Sequence, residues 1–374
     1  MDANKPVKIK DSVDVFLSNG KYLMAYYMNT RRRKSYRVSD ETVRLLESID
    51  GKRTSAELAE TMAEEYGITT ERTTEVLAML QEAGIVTESA AAQELLDDEQ
   101  LDRYGRQINY FSEFLGGELE GIAAQRVLLD SRVLIFGCGA IGGDIAVQLC
   151  MAGVGHIALF DYDTVEQSDA ARHIYYRESS VGQAKVDVLA KELEGINPDV
   201  EITTNRLALR PQDSIEGLIG QADLVIDTLD EPYIGYTAAK ISRECFKTNT
   251  PHFIAGGFDA HLASTGEMVV PYKTPCVECY ADHFKVALKD WKPCKHPVED
   301  RNEEIGGLAS MSLFSSSFAC IEIIKLLAGI TGPEDEFKTR GEFLFGDMSL
   351  TYLTVERDPD CPVCGKGRRY EPSA

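Results

Sequence analysis

The chain is predicted to be an α/β protein, with a mostly parallel central sheet preceded by a small α+β unit of winged-helix-like order. Three observations carry this. Residues 133–142, Val-Leu-Ile-Phe-Gly-Cys-Gly-Ala-Ile-Gly, run a buried-strand pattern directly into a glycine-rich turn and then an apolar helix. A second apolar strand, Ile157 to Phe160, follows and ends on Asp161. Ahead of both, the first 90 residues read as short strands followed by capped helices. A length of 374 residues accommodates one large domain and one small one.

Residues 7–38 are read as three short strands, the clearest being Val13 to Leu17 and Tyr22 to Tyr27, joined by the turn Ser18-Asn19-Gly20-Lys21. Ser39 or Asp40 caps a helix to about Ser48, Thr54 or Ser55 caps one to Tyr66, and Thr69 or Thr70 starts a third that ends at Gly84. Leu58, Met62, Tyr66, Val76, Leu77 and Leu80 recur at helical spacing and are expected in the core. Arg31-Arg32-Arg33-Lys34 is the one dense basic run, read as a charged turn or as a surface for an acidic peptide. Residues 88–102 shift to alanine and acid without glycine or proline, as in a helical linker.

In the glycine-rich turn, Gly137 permits the tight bend, Gly139 admits a phosphate to the backbone, and Gly142 lets the helix pack closely on the strand. Asp161 stands about 20 residues beyond Gly142, where a carboxylate binds ribose hydroxyls. A mononucleotide and a dinucleotide fit this spacing equally. The net charge of −22 argues against a nucleic-acid partner. No apolar run approaches the roughly 18 residues of a membrane span, and the start lacks a signal peptide's apolar core, so a cytoplasmic protein is expected. Nine cysteines make an odd number for a disulfide framework. Cys276-x-x-Cys279 and Cys361-x-x-Cys364 are read as two thiolate pairs, either closing a structural Zn²⁺ site or acting as redox dithiols, while Cys138, Cys150, Cys245 and Cys320 sit in apolar stretches and are expected to be buried.

From Asp102 onward the chain resembles the ThiF/MoeB-like adenylating enzymes, relatives of ubiquitin-activating enzymes. The resemblance rests on Arg103-Tyr104-Gly105-Arg106-Gln107, the loop Gly137 to Gly142, Asp161-Tyr162-Asp163-Thr164-Val165-Glu166, Arg172, Val181-Gly182-Gln183-Ala184-Lys185, Asp227-Thr228-Leu229-Asp230 and the two cysteine pairs. It implies a Rossmann-like adenylation domain over residues 102–374 that uses ATP and Mg²⁺, and it favours the structural Zn²⁺ site over redox dithiols for the cysteine pairs. Arg172 and Lys185 would hold the phosphates, Asp230 would bind Mg²⁺, and Asp161 and Asp163 would lie along the nucleotide. Arg106 would reach the γ-phosphate from a neighbouring subunit of a homodimer. Where relatives read Asn-Leu-x-Arg-Gln, this chain has Asp169-Ala170-Ala171-Arg172-His173, so His173 either replaces the glutamine at the nucleotide or sits in the wall. Residues 281–307 resemble the family's crossover loop, in which Cys294 is read as an ordinary loop cysteine.

Residues 1–90 resemble, in the order of their elements, the PqqD-like domains that bind precursor leader peptides, with residues 91–101 as a linker. In that family the leader adds as a strand to the hairpin edge and rests on the third helix. The two resemblances together imply a member of the adenylating family that modifies ribosomally made precursor peptides in natural-product biosynthesis. It would adenylate a peptide carboxylate and then cyclise the peptide with loss of water. The lysines at 285, 289, 292 and 295 favour an acidic side chain as the target. The alternatives are stable AMP transfer to the peptide, activation of a ubiquitin-like sulfur carrier, and a noncatalytic leader-binding scaffold. An NAD-dependent dehydrogenase, suggested by the glycine turn alone, leaves Arg172, Lys185 and Asp230 without a shared purpose.

Overall fold

Side-chain capping sets the helix starts of the N-terminal region, and strand pairing sets the rest. A computed structural model describes residues 3–19, 21–88, 95–210, 212–230, 234–287, 289–290, 306–331 and 340–365. The chain divides into two compact units, Met1–Arg126 and Val127–Ala374.

In the first unit, strands β1 (Val7–Ile9), β2 (Val13–Ser18), β3 (Tyr22–Tyr27) and β4 (Arg32–Arg37) precede helices α1 (Asp40–Ser48), α2 (Ser55–Tyr66) and α3 (Thr70–Glu82). Ser39 accepts from the Thr42 N–H, Thr54 forms a capping box with Glu57, and Thr69 accepts from the Arg72 N–H. The region holds four strands rather than the expected three. β2, β3 and β4 form an antiparallel sheet, and β1 pairs with β5 (Val86–Glu88) beyond the helices. Leu23 and Ala25, alternate residues of β3, point into a core with Leu45, Leu58, Met62, Val76, Leu77 and Leu80. Tyr66 departs from the core expectation: it is 39% exposed, with the Arg44 guanidinium 4.8 Å from its ring. Only the first residue of the basic run is in a turn, Arg31 at φ +56°; Arg32, Arg33 and Lys34 lie on β4 opposite Tyr27, Tyr26 and Ala25. Of the expected linker, residues 89–94 lie outside the described residues and 95–97 are not helical. Asp97 and Gln100 form a capping box that fixes the start of α4 (Asp98–Leu115), and α5 (Glu118–Asp130) follows.

The second unit runs β6 (Arg132–Phe136), α6 (Ala140–Ala152), β7 (His156–Phe160), α7 (Lys185–Ile196), β8 (Glu201–Asn205), α8 (Glu216–Ile219), β9 (Leu224–Asp227), α9 (Ile234–Thr248), β10 (His252–Ile254), β11 (Leu262–Ser264), β12 (Glu267–Val269), α10 (Val277–Ala287), α11 (Ala309–Leu327), β13 (Gly341–Leu344) and β14 (Ser349–Tyr352). Its central sheet has the order β12-β10-β9-β6-β7-β8, all parallel except β12, in agreement with the expected mostly parallel sheet. Strand order reverses between β6 and β9, and the carboxyl ends of strands at such a reversal are where open α/β sheets bind ligands. A separate antiparallel sheet, β11-β13-β14, completes the unit.

Two sequence expectations are corrected here. Helix α11 is long and apolar enough to cross a membrane by length and composition, contrary to the reading that no segment approaches that length. Serines scattered through it interrupt the apolar run without making the whole polar. Its Ser312, Ser316, Ala319, Cys320 and Ile323 are buried, and it packs along α6, as a core helix does. The expected crossover loop begins as helix: residues 281–287 belong to α10, where exposed Lys285 pairs with Asp282 at 2.8 Å. Residues 291–305, including Lys292, Cys294 and Lys295, lie outside the described residues.

Candidate active site

The glycine-rich turn joins the end of β6 to the start of α6. Gly137 has φ +96°, and a Cβ there would lie 2.3 Å from Thr228 Oγ1. A Cβ at Gly142 would lie 2.0 Å from the Gly137 carbonyl oxygen, so the close packing expected of the third glycine is present. At Gly139 a Cβ would meet open space. Gly139 is also the N-cap of α6 and supplies no side-chain cap, which leaves the first amides of a 13-residue helix available to an anion.

Two buried tyrosines fasten this turn from behind. Tyr175 donates its hydroxyl to the Gly139 carbonyl and Tyr176 donates to that of Cys138, each at 2.8 Å. The Tyr175 ring also explains Gly143, where a Cβ would sit 2.0 Å from the phenolic oxygen. Asp161, at the end of β7, accepts from the Cys138 N–H at 2.7 Å and from the Asp163 N–H at 2.8 Å. Each carboxylate oxygen keeps a further lone pair for a hydroxyl.

Lys185 is the first residue of α7, held beside residues 163–165 by its N–H to the Asp163 carbonyl at 3.0 Å. Its ammonium, 12% exposed, lies 3.6 Å from Asp163 Oδ2 and 3.7 Å from Asp169 Oδ2. Arg172 is 57% exposed and donates from Nη2 to Asp169 Oδ1 at 3.0 Å. Asp161, Asp163, Arg172 and Lys185 are thus drawn to one region of the second unit beside the glycine turn. His173 is in the wall: it is buried against Tyr175 and Tyr176, and its Nδ1 lies 2.8 Å from the Asp169 carbonyl oxygen. Burial holds its imidazole below the usual histidine range, so it stays neutral. Asp230 is exposed just past β9, next to Asp227. Burial pushes the Asp227 carboxyl up to about 7, with the charge of Asp230 adding to the rise. Arg106 lies exposed on α4 of the first unit.

Sequence reasoning passed over Asp169, Tyr175 and Tyr176. The adjacent tyrosines immediately after Arg172-His173-Ile174 were the available signal, because phenols buried under a glycine turn need acceptors. Asp169 was visible only as a departure from the family pattern.

The four cysteines of the two Cys-x-x-Cys pairs are buried, with their sulfurs within 4.8 Å of one another. Cys276 and Cys361 sulfurs are 3.5 Å apart, those of Cys279 and Cys364 3.4 Å, and those of Cys276 and Cys279 3.8 Å. A tetrahedron with Zn–S bonds of about 2.3 Å has edges of about 3.8 Å, whereas a disulfide requires about 2.05 Å. Cys276, Cys279, Cys361 and Cys364 therefore fit a Zn²⁺ ion and leave no open position for catalysis. Cys138, Cys150, Cys245 and Cys320 are buried, as expected.

A glycine turn at a strand-order reversal, flanked by paired cations and carboxylates, defines a nucleotide-binding α/β unit with a separate cluster of four cysteines that fits a metal ion. The model of the ThiF family matches residues 104–363, and the chain belongs to that family. The Escherichia coli K12 molybdopterin-synthase adenylyltransferase is 31% identical over 277 residues, which cover 72% of this chain and 99% of that protein. The sulfur carrier protein ThiS adenylyltransferase of the same organism is 30% identical, covering 72% and 97%. Among solved structures, PaaA superposes with TM-score 0.72 at 21% identity, covering 93% of this chain and 100% of its own. E. coli MccB, crystallised with succinimide, gives 0.69 at 19% identity, covering 96% and 99%. These two show a shared fold.

Proposed function

We propose that the protein is an ATP-dependent adenylating enzyme that activates a carboxylate on a ribosomally made precursor peptide, and that the activated peptide then cyclises with loss of water. The carrying observation is the meeting of Lys185, Arg172, Asp161 and Asp163 beside an uncapped helix start, which matches what a nucleotide triphosphate needs. ThiF-family membership and the named adenylyltransferases support the reaction class. A peptide carboxylate oxygen bonds to the α-phosphorus, the bond from that phosphorus to the bridging oxygen breaks, and pyrophosphate departs with the electron pair. Lys185 and Arg172 neutralise the phosphates, Asp161 takes the ribose hydroxyls, and Asp230 holds Mg²⁺. A nucleophile of the same peptide then displaces AMP. Arg106 serves the site of a neighbouring copy in a homodimer.

The first unit supports a peptide rather than a protein substrate. A groove of about 770 Å³ runs between β4 and α3, lined by Tyr36, Val38, Val76, Met79 and Leu80, with Arg37 and Arg72 at its margin. Strand β4 pairs only with β3 among the described residues, so its outer edge is open to an added strand. The domain reading follows: residues 1–90 bind the leader, and residues 102–374 perform the chemistry on the tethered core. The structure of MccB, which shares this fold, in complex with N-formylated MccA is a precedent for a bound partner on it.

Incubation of the purified protein with ATP, Mg²⁺ and each short peptide encoded beside its gene tests this by product mass. A peptide lighter by one water, with AMP and pyrophosphate released, is the expected product. Met79→Glu, which places an acid in the groove, should raise the peptide KM about tenfold with kcat unchanged. A peptide heavier by AMP would replace cyclisation with nucleotide transfer. Turnover that requires a small carrier protein ending in Gly-Gly would replace the peptide reading with sulfur-carrier activation, the activity named for one relative.

A further inference from the structure

We infer that Asp169 is the counter-ion against which the phosphates compete for Arg172 and Lys185, so that it sets how tightly the site holds pyrophosphate and how readily releases it. The inference rests on the nucleotide reading above and concerns a residue with no role assigned there.

The geometry is specific. Asp169 is 1% exposed, and its carboxylate pairs with both cations: Arg172 Nη2 at 3.0 Å from Oδ1 and Lys185 Nζ at 3.7 Å from Oδ2. Asp163 approaches Lys185 equally, at 3.6 Å, but stands half in solvent. The Asp169 carboxylate is also fixed from the protein side, since Oδ2 accepts from the Glu166 N–H at 2.9 Å. Its backbone carbonyl accepts the His173 N–H at 3.0 Å and lies 2.8 Å from the His173 ring nitrogen. The carboxylate is therefore held in place by the loop, whereas Arg172, 57% exposed, has room to turn toward an incoming ligand and the enclosed Lys185 shares its ammonium between Asp169 and Asp163.

Without ligand, Asp169 pairs with both cations, while Arg172 also meets solvent. A triphosphate must displace that pairing, and it leaves a buried carboxylate beside four or so negative charges. The same repulsion acts on the pyrophosphate once it has been cleaved from AMP. Asp169 then recaptures both cations as the product goes. Affinity for ATP is given up in exchange for product release, as expected where ground-state binding is not useful in itself. Asp169 is a positioning residue: it touches the cations, and they touch the phosphates.

Asp169→Asn keeps the shape and the Glu166 hydrogen bond while removing the charge. It is expected to lower the inhibition constant of Mg²⁺-pyrophosphate about tenfold and the KM for ATP severalfold, with kcat falling because release slows. Direct titration with Mg²⁺-pyrophosphate reads the same change without turnover. Asp163→Asn, at a more exposed position beside Lys185, is the comparison and should tighten pyrophosphate only about threefold; Asp169→Ser, which also removes the charge, carries the test if Asp169→Asn does not fold. Pyrophosphate bound by wild type but held equally or more weakly by the folded variants would overturn this inference alone. No pyrophosphate binding by wild type would overturn it together with the nucleotide reading.

Discussion

Lys185→Ala is expected to lower the rate of adenylate formation at least about 10³-fold, the scale found when a single charge aimed at a reacting phosphoryl or oxyanion is removed. Lys185 begins α7, is largely enclosed, and has its ammonium between Asp163 and Asp169. Its removal takes away one of two cations and leaves the buried Asp169 carboxylate with Arg172 alone, so the local charge turns against the triphosphate. Arg172 does not replace the lost contact, because it already supplies the second cation of the site, beside Asp169 at 3.0 Å. The check is ATP–pyrophosphate exchange at saturating peptide, with thermal unfolding to show that the variant remains folded. Exchange above a tenth of wild type would remove Lys185 from the catalytic set.

Cys361→Ser is expected to abolish Zn²⁺ retention and to destabilise the second unit by about 3 kcal/mol or more. Four sulfurs lie within 4.8 Å of one another in a buried cluster with Val269 and Phe246. Cys276 and Cys279 flank the start of α10, while Cys361 and Cys364 come after β14, so the metal ties together segments distant in sequence. Without an ion, burial pushes the Cys279 thiol up to about 11; a divalent cation reverses this by holding thiolates. Metal analysis should find one zinc per wild-type chain and none in the variant, with a lower unfolding temperature. Full stability and solubility in the metal-free variant would reduce the four cysteines to ordinary core residues.

What could be read from the sequence was local or carried by motifs. Ser39, Thr54 and Thr69 announced three helix starts because a capping side chain acts within its own turn. The glycine turn was legible because each glycine answers a steric demand of the strand, turn and helix around it. Strand β4 was missed because Arg32 to Arg37 carry no apolar alternation; their extended form is imposed by β3, which pairs with them residue by residue. Tyr66 had helical spacing but falls at the edge of the buried face. The pairing of Asp169 with Arg172 is local, but its contact with Lys185 requires residues 163–165 to lie beside residues 182–185, a tertiary arrangement no local pattern encodes. The hydroxyls of Tyr175 and Tyr176 likewise find their acceptors only after the chain has returned to the glycine turn.

The most direct measurement is ATP–pyrophosphate exchange by the full-length wild-type protein with labelled pyrophosphate and Mg²⁺, with and without each neighbouring-gene peptide. Label entering ATP only when a peptide is present is the expected result, since exchange requires reversible formation of a peptidyl adenylate. No peptide-dependent exchange, alongside strong exchange with a carrier protein ending in Gly-Gly, would contradict the peptide substrate, and no exchange with either would contradict adenylation itself.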